Sequence, residues 1–263
     1  MDGASFLHAA EALRSTDRDR YLATLVVSGE ARNGITALYA FNADVASIRD
    51  RVTNPAAGEI RLQWWQDALE GEGHGAVRQN PLADALLQTT ERYGLPAKTF
   101  ERLIAARRFD LYDDPMPDLA SFEGYAGETS STLYQLAAMI LNGGEPLANG
   151  DAAGHLGVAH ALIGHLRAFG YHAAQGRIML PWSIFAANGV AEEEIFSGQV
   201  SEGLHEALGQ IGELAAEHLK KAAEALKTTP PRLRPAYAPI ALLRAQLADY
   251  MHANRSPFAS PPD

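Results

Sequence analysis

The chain has 263 residues, 47% of them hydrophobic, enough to bury one sizeable core. Its formal net charge of −10 excludes a general nucleic-acid-binding surface, which needs a basic face, but leaves room for a local cationic site. There is no cysteine, so disulfides and thiolate metal sites are excluded.

In chain order, apolar residues at helical spacing predict helices over 30–50, 59–71, 79–93, 97–111, 119–142 and 151–172. Leu204, Leu208, Ile211, Leu214, Leu219 and Leu226, set among Glu, His, Gln and Lys, predict a long amphipathic helix, and a last helix follows over 236–253. Asn54-Pro55 ends the helix that carries Asp50, because a residue before proline avoids the α region. Pro115 and Pro117 break the chain after Asp114, Asn142-Gly143-Gly144 has C-cap character, and Thr229-Pro230-Pro231 separates the last two long helices. Pro181 can open a short helix. Strands are not expected, since few Val-, Ile- and Thr-rich stretches alternate.

These elements predict a single all-α domain over 1–254, arranged as a helical bundle around a central cavity, with a flexible tail over 255–263. No stretch approaches the roughly 18 uninterrupted apolar residues of a spanning helix. Met1-Asp2-Gly3-Ala4 is no basic n-region, so no signal peptide is expected. The expected location is the cytoplasm, with peripheral contact at the inner membrane as an extension, although no basic amphipathic helix stands out as an anchor.

Several strings share a register with one enzyme family. Asp19-Arg20-Tyr21-Leu22-Ala23-Thr24-Leu25 resembles an opening helix of the squalene/phytoene synthases, and Ile35-Thr36-Ala37-Leu38-Tyr39-Ala40-Phe41 resembles their A-L-Y-A-F run. Leu62-Gln63-Trp64-Trp65-Gln66-Asp67-Ala68-Leu69, Asp110-Leu111 and Tyr125 match further on. Leu166-Arg167-Ala168-Phe169-Gly170-Tyr171-His172, followed by Gly176-Arg177-Ile178-Met179-Leu180-Pro181, resembles the second signature, L-R-D-x-x-x-D then G-R-x-Y-L-P. The resemblance implies an isoprenoid-synthase-type bundle. In the family's enzymes, carboxylates four residues apart hold magnesium ions that bridge to a prenyl diphosphate.

Here the four motif positions are Ala46, Asp50, Ala168 and His172, so three of the four carboxylates are missing. The L-R-A-x-x-Y-H string, with Gly189-Val190 before the acidic Glu192-Glu193-Glu194, is similar to a branch that includes the mitochondrial assembly factor of respiratory complex I. The resemblance implies a noncatalytic binding or assembly protein, with respiratory complex subunits or assembly proteins as partners, no nucleic acid, and no cofactor. The alternative is a divergent prenyltransferase, and only that reading calls for magnesium, with Asp50, Asp110, Asp113 and Asp114 as its candidate ligands. A second alternative is an isoprenoid- or lipid-binding protein.

Candidate cavity or anion-binding residues are Arg49, Asp50, Arg167, Tyr171, His172 and Arg177. Arginine grips phosphate oxygens in pairs, and losing the acids leaves these cations less neutralised. Against this, Asp50 is expected to form an ion pair with Arg49, Arg51 or Arg167, and Tyr171 with His172 to line a cavity rather than transfer protons. Asp110-Leu111-Tyr112-Asp113-Asp114 is a literal D-x-x-x-D, but Pro115 ends any helix there, so its acids are expected to be solvated or capping. Asp110 itself is expected to act structurally. His155, His160 and His165 step by five and drift around a helix, which is no metal-ligand spacing. Trp64 and Trp65 must face different sides of one helix, and core packing is expected for both.

Overall fold

The computed structural model describes residues 3–71, 76–252 and 256–259. Among these residues there is no strand; the regular elements are helices. In chain order they are α1 (Gly3–Thr16), α2 (Arg18–Thr24), α3 (Gly29–Ala46), α4 (Ile48–Arg51), α5 (Pro55–Glu70), α6 (Pro81–Tyr93) and α7 (Ala97–Arg107). There follow α8 (Leu119–Ala126), α9 (Thr132–Leu141), α10 (Asp151–Arg167), α11 (Phe169–Ala174), α12 (Trp182–Ala187), α13 (Glu192–Phe196), α14 (Glu202–Thr228) and α15 (Pro239–His252).

Side-chain chemistry places the ends. Asn54 accepts from Ala57 N at 3.0 Å, and Pro55 opens α5, so this helix starts four residues before the predicted 59. Asn80 caps α6 by accepting from Leu82 N and Ala83 N, and Asp118 caps α8 through Ser121 N at 2.8 Å. Three predicted helices are interrupted. The 30–50 helix breaks at Ser47 and the 151–172 helix breaks at Ala168. The 119–142 helix contains a π-helical turn over Gly127–Ser131 between α8 and α9. The 97–111 helix tightens into a 3-10 turn over Arg108–Leu111.

The elements group into two compact units, each assembled from segments that alternate along the chain. That interleaving explains why one domain and no linker were visible in the sequence. The first unit comprises Met1–Tyr112, Thr132–Gly150 and Thr228–Pro239. Its core is built on α3, which buries Ile35, Leu38, Tyr39, Phe41 and Val45. Phe41 meets Trp65 and Phe100 edge-on, with ring centroids 4.9 and 5.7 Å away. Trp65 is buried, while Trp64 is half-buried and packs edge-on against it.

The second unit comprises Asp113–Ser131, Asp151–Lys227 and Ile240–Asp263. Helix α10 packs against the π-helical turn, where Ser131 Oγ donates to Gly154 O at 2.9 Å. Gly157 lies so close to this turn that an added Cβ would overlap Ser131 N, Cα and Oγ. Part of the predicted flexible tail belongs to this unit's packing: Phe258 lies on Phe169 with ring centroids 5.5 Å apart, over Gly170, whose missing side chain makes the room. An aromatic ring with a place to pack overrides the Pro- and Ser-rich composition there. Residues 255 and 260–263 of the predicted tail lie outside the described residues.

Candidate functional site

The two degenerate motifs share a local construction. Each begins where a long helix gives way to a short one: α3 to α4 through Ser47 (φ −88, ψ 3), and α10 to α11 through Ala168 (φ −92, ψ 8). Both junctions lie in the sparsely populated bridge region, where active-site residues are found. Helical hydrogen bonding runs up to each: Ser47 N donates to Ala43 O at 3.1 Å, and Ala168 N to Gly164 O at 3.0 Å. The chain thus has a helix break beside each pair of positions that the sequence register assigns to the motifs, Ala46 with Asp50 and Ala168 with His172.

In the first unit, Ala46 is the last residue of α3, Arg49 is half-buried and Asp50 is exposed. Arg51 reaches back across the break to Asp44, at 2.8 Å from the carboxylate and 2.6 Å from the carbonyl oxygen. Asp44 also accepts from Trp65 Nε1 at 2.9 Å. The carboxylate that organises this junction is therefore Asp44, which was not singled out in the sequence; the signal was its spacing from Arg51, seven residues on.

The literal D-x-x-x-D at 110–114 does not lie on one helix. Asp110 is buried in the 3-10 turn, 2.9 Å from Arg107, which also reaches Asn42 at 3.3 Å. Asp113 and Asp114 lie past the end of the turn in an irregular segment and are exposed. No i, i+4 face exists for the three acids to share, which removes the main support for relocated magnesium ligands.

In the second unit, Arg167 ends α10 and is half-buried, while Arg177 is buried, with its guanidinium donating to Gln175. The segment after Arg177 is held by Met116 N donating to Ile178 O at 2.9 Å and Trp182 N to Met116 O at 2.7 Å. His172 pairs with His165, ring nitrogens 3.4 Å apart, and His165 packs edge-on against Phe122 and tilted against Tyr125. Tyr171 is 51% exposed, so it does not line an interior surface with His172 as expected, although their rings touch edge-on. Alternate orientation on one turn of α11 sends the two neighbours to different sides.

A second histidine pair joins three helices of this unit. His155 and His218 Nδ1 atoms are 3.2 Å apart, and His218 Nε2 lies 3.4 Å from Glu123. Burial, then the neighbouring His155, hold the His218 imidazole below its usual pKa of 6.5, against the opposing pull of Glu123. Of the evenly stepped histidines, His155 and His165 thus pair with different partners.

The first unit also contains a buried polar cluster that sequence reasoning missed. Asp17 caps α2 by accepting from Arg20 N at 2.9 Å and binds the Arg20 guanidinium at 2.6 Å. Arg20 sits 5.9 Å from the centroid of the Tyr39 ring, and Tyr134 stacks on Tyr237. Burial pushes the Tyr39 and Tyr134 hydroxyls well above the ordinary phenol range and Tyr237 up to about 12, so all three stay neutral donors. Two matching strings, Asp19-Arg20-Tyr21 and the A-L-Y-A-F run, meet here through Arg20 and Tyr39.

The donor set does not suit the family's magnesium. Magnesium takes oxygen ligands in a tight octahedron. The motif positions offer one exposed carboxylate, two methyl groups and an imidazole. Among the described residues no cluster of three or more His, Asp or Glu could hold a metal ion.

This architecture is that of the isoprenoid synthases. The crystal structure of the squalene synthase of Alicyclobacillus acidocaldarius superposes with a TM-score of 0.77 at 20% identity, covering 93% of this chain and 92% of that one. Residues 13–261 match the squalene/phytoene synthase family, and the chain belongs to it. Its relatives divide by name. The human NADH dehydrogenase (ubiquinone) complex I assembly factor 6 is 30% identical over 230 residues, 88% of this chain and 69% of that protein. The chloroplastic phytoene synthase 1 of Arabidopsis thaliana is 26% identical over 207 residues, 76% of this chain and 48% of that protein.

Proposed function

We propose that this chain is a noncatalytic member of the squalene/phytoene synthase family that binds components of a respiratory complex during its assembly. The observation that carries the reading is that Ala46, Ala168 and His172 stand where the family register of the sequence places carboxylates, each motif beside a helix break. Prenyl diphosphate ionisation relies on metal-stabilised charge separation, each metal interaction contributing several kcal/mol, and a loss of about 1.4 kcal/mol is tenfold in rate. The greater identity and coverage toward the human assembly factor than toward the Arabidopsis phytoene synthase support the same reading. No helix among the described residues is long and apolar enough to cross a membrane, so contact with a membrane-bound complex would be made from its surface.

Affinity capture of the tagged chain from its native host, with and without detergent, tests this directly. Respiratory subunits or their assembly proteins should be recovered above a mock capture. Recovery of isoprenoid enzymes alone would contradict the reading.

A further inference from the structure

Helix α2 ends in an apolar tip that the fold leaves uncovered. Leu22, Leu25 and Val26 are 48%, 46% and 60% exposed. Their spacing puts them side by side, and the turn that presents them is fixed by Leu25 N donating to Leu22 O and Val27 N to Thr24 O, both at 3.1 Å. Single exposed apolar side chains are ordinary; two leucines and a valine exposed together at one helix end are not.

Beside this tip is a depression of about 650 Å³ lined by Arg14, Arg18, Tyr21 and Leu22. Leu22 belongs to both features, so the apolar tip and the cationic depression are continuous. Arg14 and Arg18 are exposed, and among the described residues no hydrogen bond or ion pair engages either. Of the nearest acids in sequence, Asp17 holds Arg20 and Asp19 has a partner of its own, which leaves Glu11, exposed on α1 three residues before Arg14, against the two arginines. Tyr21 lines the same depression and adds a ring with a polar end, a side chain suited to a membrane interface.

We infer that this face docks on an anionic phospholipid bilayer: Arg14 and Arg18 meet lipid phosphates while Leu22, Leu25 and Val26 enter the acyl boundary. Charge complementarity argues for that occupant. The chain carries a net charge of −10, so most of its surface is repelled by anionic headgroups. Arg14 and Arg18 outnumber the exposed Glu11 beside them, so the end of the molecule that carries the apolar tip is locally cationic and defines the orientation of approach. Neither feature alone amounts to an anchor, and a helix end with its following turn gives no amphipathic periodicity, which is why none stood out in the sequence. The surface is independent of the assembly reading, since membrane binding can hold whatever protein the chain accompanies.

Sedimentation of the full chain with vesicles tests it. With vesicles of phosphatidylcholine and an equal part of phosphatidylglycerol, the protein should pellet, and it should do so far less with phosphatidylcholine alone. Replacing Arg14→Gln or Arg18→Gln should weaken binding roughly fivefold each, and raised salt should do the same. Leu25→Asp with Val26→Asp should abolish pelleting. All four side chains are exposed, and an unchanged circular dichroism spectrum confirms that each variant is folded. Failure of the unaltered chain to bind anionic vesicles, or variants that bind as it does, would overturn the proposal. So would a Leu25→Asp/Val26→Asp variant that loses only self-association without vesicles, since the tip would then join two copies of the chain.

Discussion

Replacing Gly157 with alanine should destabilise the protein by about 3 kcal/mol, through forced overpacking against a neighbour that cannot yield. The new methyl group would overlap the backbone N and Cα of Ser131, not the end of a flexible side chain. Ser131 closes the π-helical turn and is tied to α10 by its bond to Gly154 O. Relief therefore requires moving α10 away from the turn. For a chain of this size the melting temperature should fall by about 6–12 °C in thermal denaturation. Gly164, in the same helix, supplies the control: nothing lies within 4 Å of its added Cβ. There alanine should raise stability by about 0.5–1 kcal/mol, because the backbone entropy of glycine is removed at no steric cost. Opposite signs from the same substitution seven residues apart would show that Gly157 is kept for close approach.

Arg20→Met should cost about 3 kcal/mol, because it leaves the Asp17 carboxylate without its cation in a poorly solvated place. The two side chains are only 14% and 19% exposed, so water screens them weakly. The guanidinium also lies over the Tyr39 ring, an attraction lost with it. Adding Asp17→Asn to Arg20→Met should recover part of the loss, since the uncompensated charge disappears, although the capping geometry of α2 must then rest on the amide. Chemical denaturation of the two single variants and the double gives the coupling energy. Equal stability of Arg20→Met and the unaltered chain would show that the cluster is solvated and contributes little.

The helices were legible because their apolar faces recur at helical spacing, and Asn54-Pro55 and Asn142-Gly143-Gly144 mark ends by known backbone chemistry. The family register was legible because strings such as Leu166–His172 keep fixed spacing. What escaped was backbone irregularity without a sequence marker. Neither Ser47 nor Ala168 is a helix breaker, so the two bridge-region junctions looked like continuous helix and the i, i+4 geometry seemed assured. The π-helical turn has the same origin: Gly127 and Ser131 are tolerated in helices, and the turn is supported by Thr129 Oγ1 donating to Tyr125 O and by Gly157 across from it. Asp50 drew attention because it occupies a motif position, whereas Asp44, which holds both Arg51 and the Trp65 indole, carried no motif to mark it. The Asp17–Arg20–Tyr39 cluster joins residues distant in the chain and needed the fold to reveal it.

The loss of three carboxylates matters only if it removes the chemistry. The most direct measurement is condensation by the purified full chain, supplied with magnesium and either farnesyl or geranylgeranyl diphosphate, with diphosphate release and prenyl products both followed. The proposed noncatalytic role predicts no squalene- or phytoene-type product and no diphosphate release above the protein-free control. Turnover at an ordinary enzyme rate, about 1 s⁻¹ or faster, would contradict it and return Asp50 and its neighbours to catalysis.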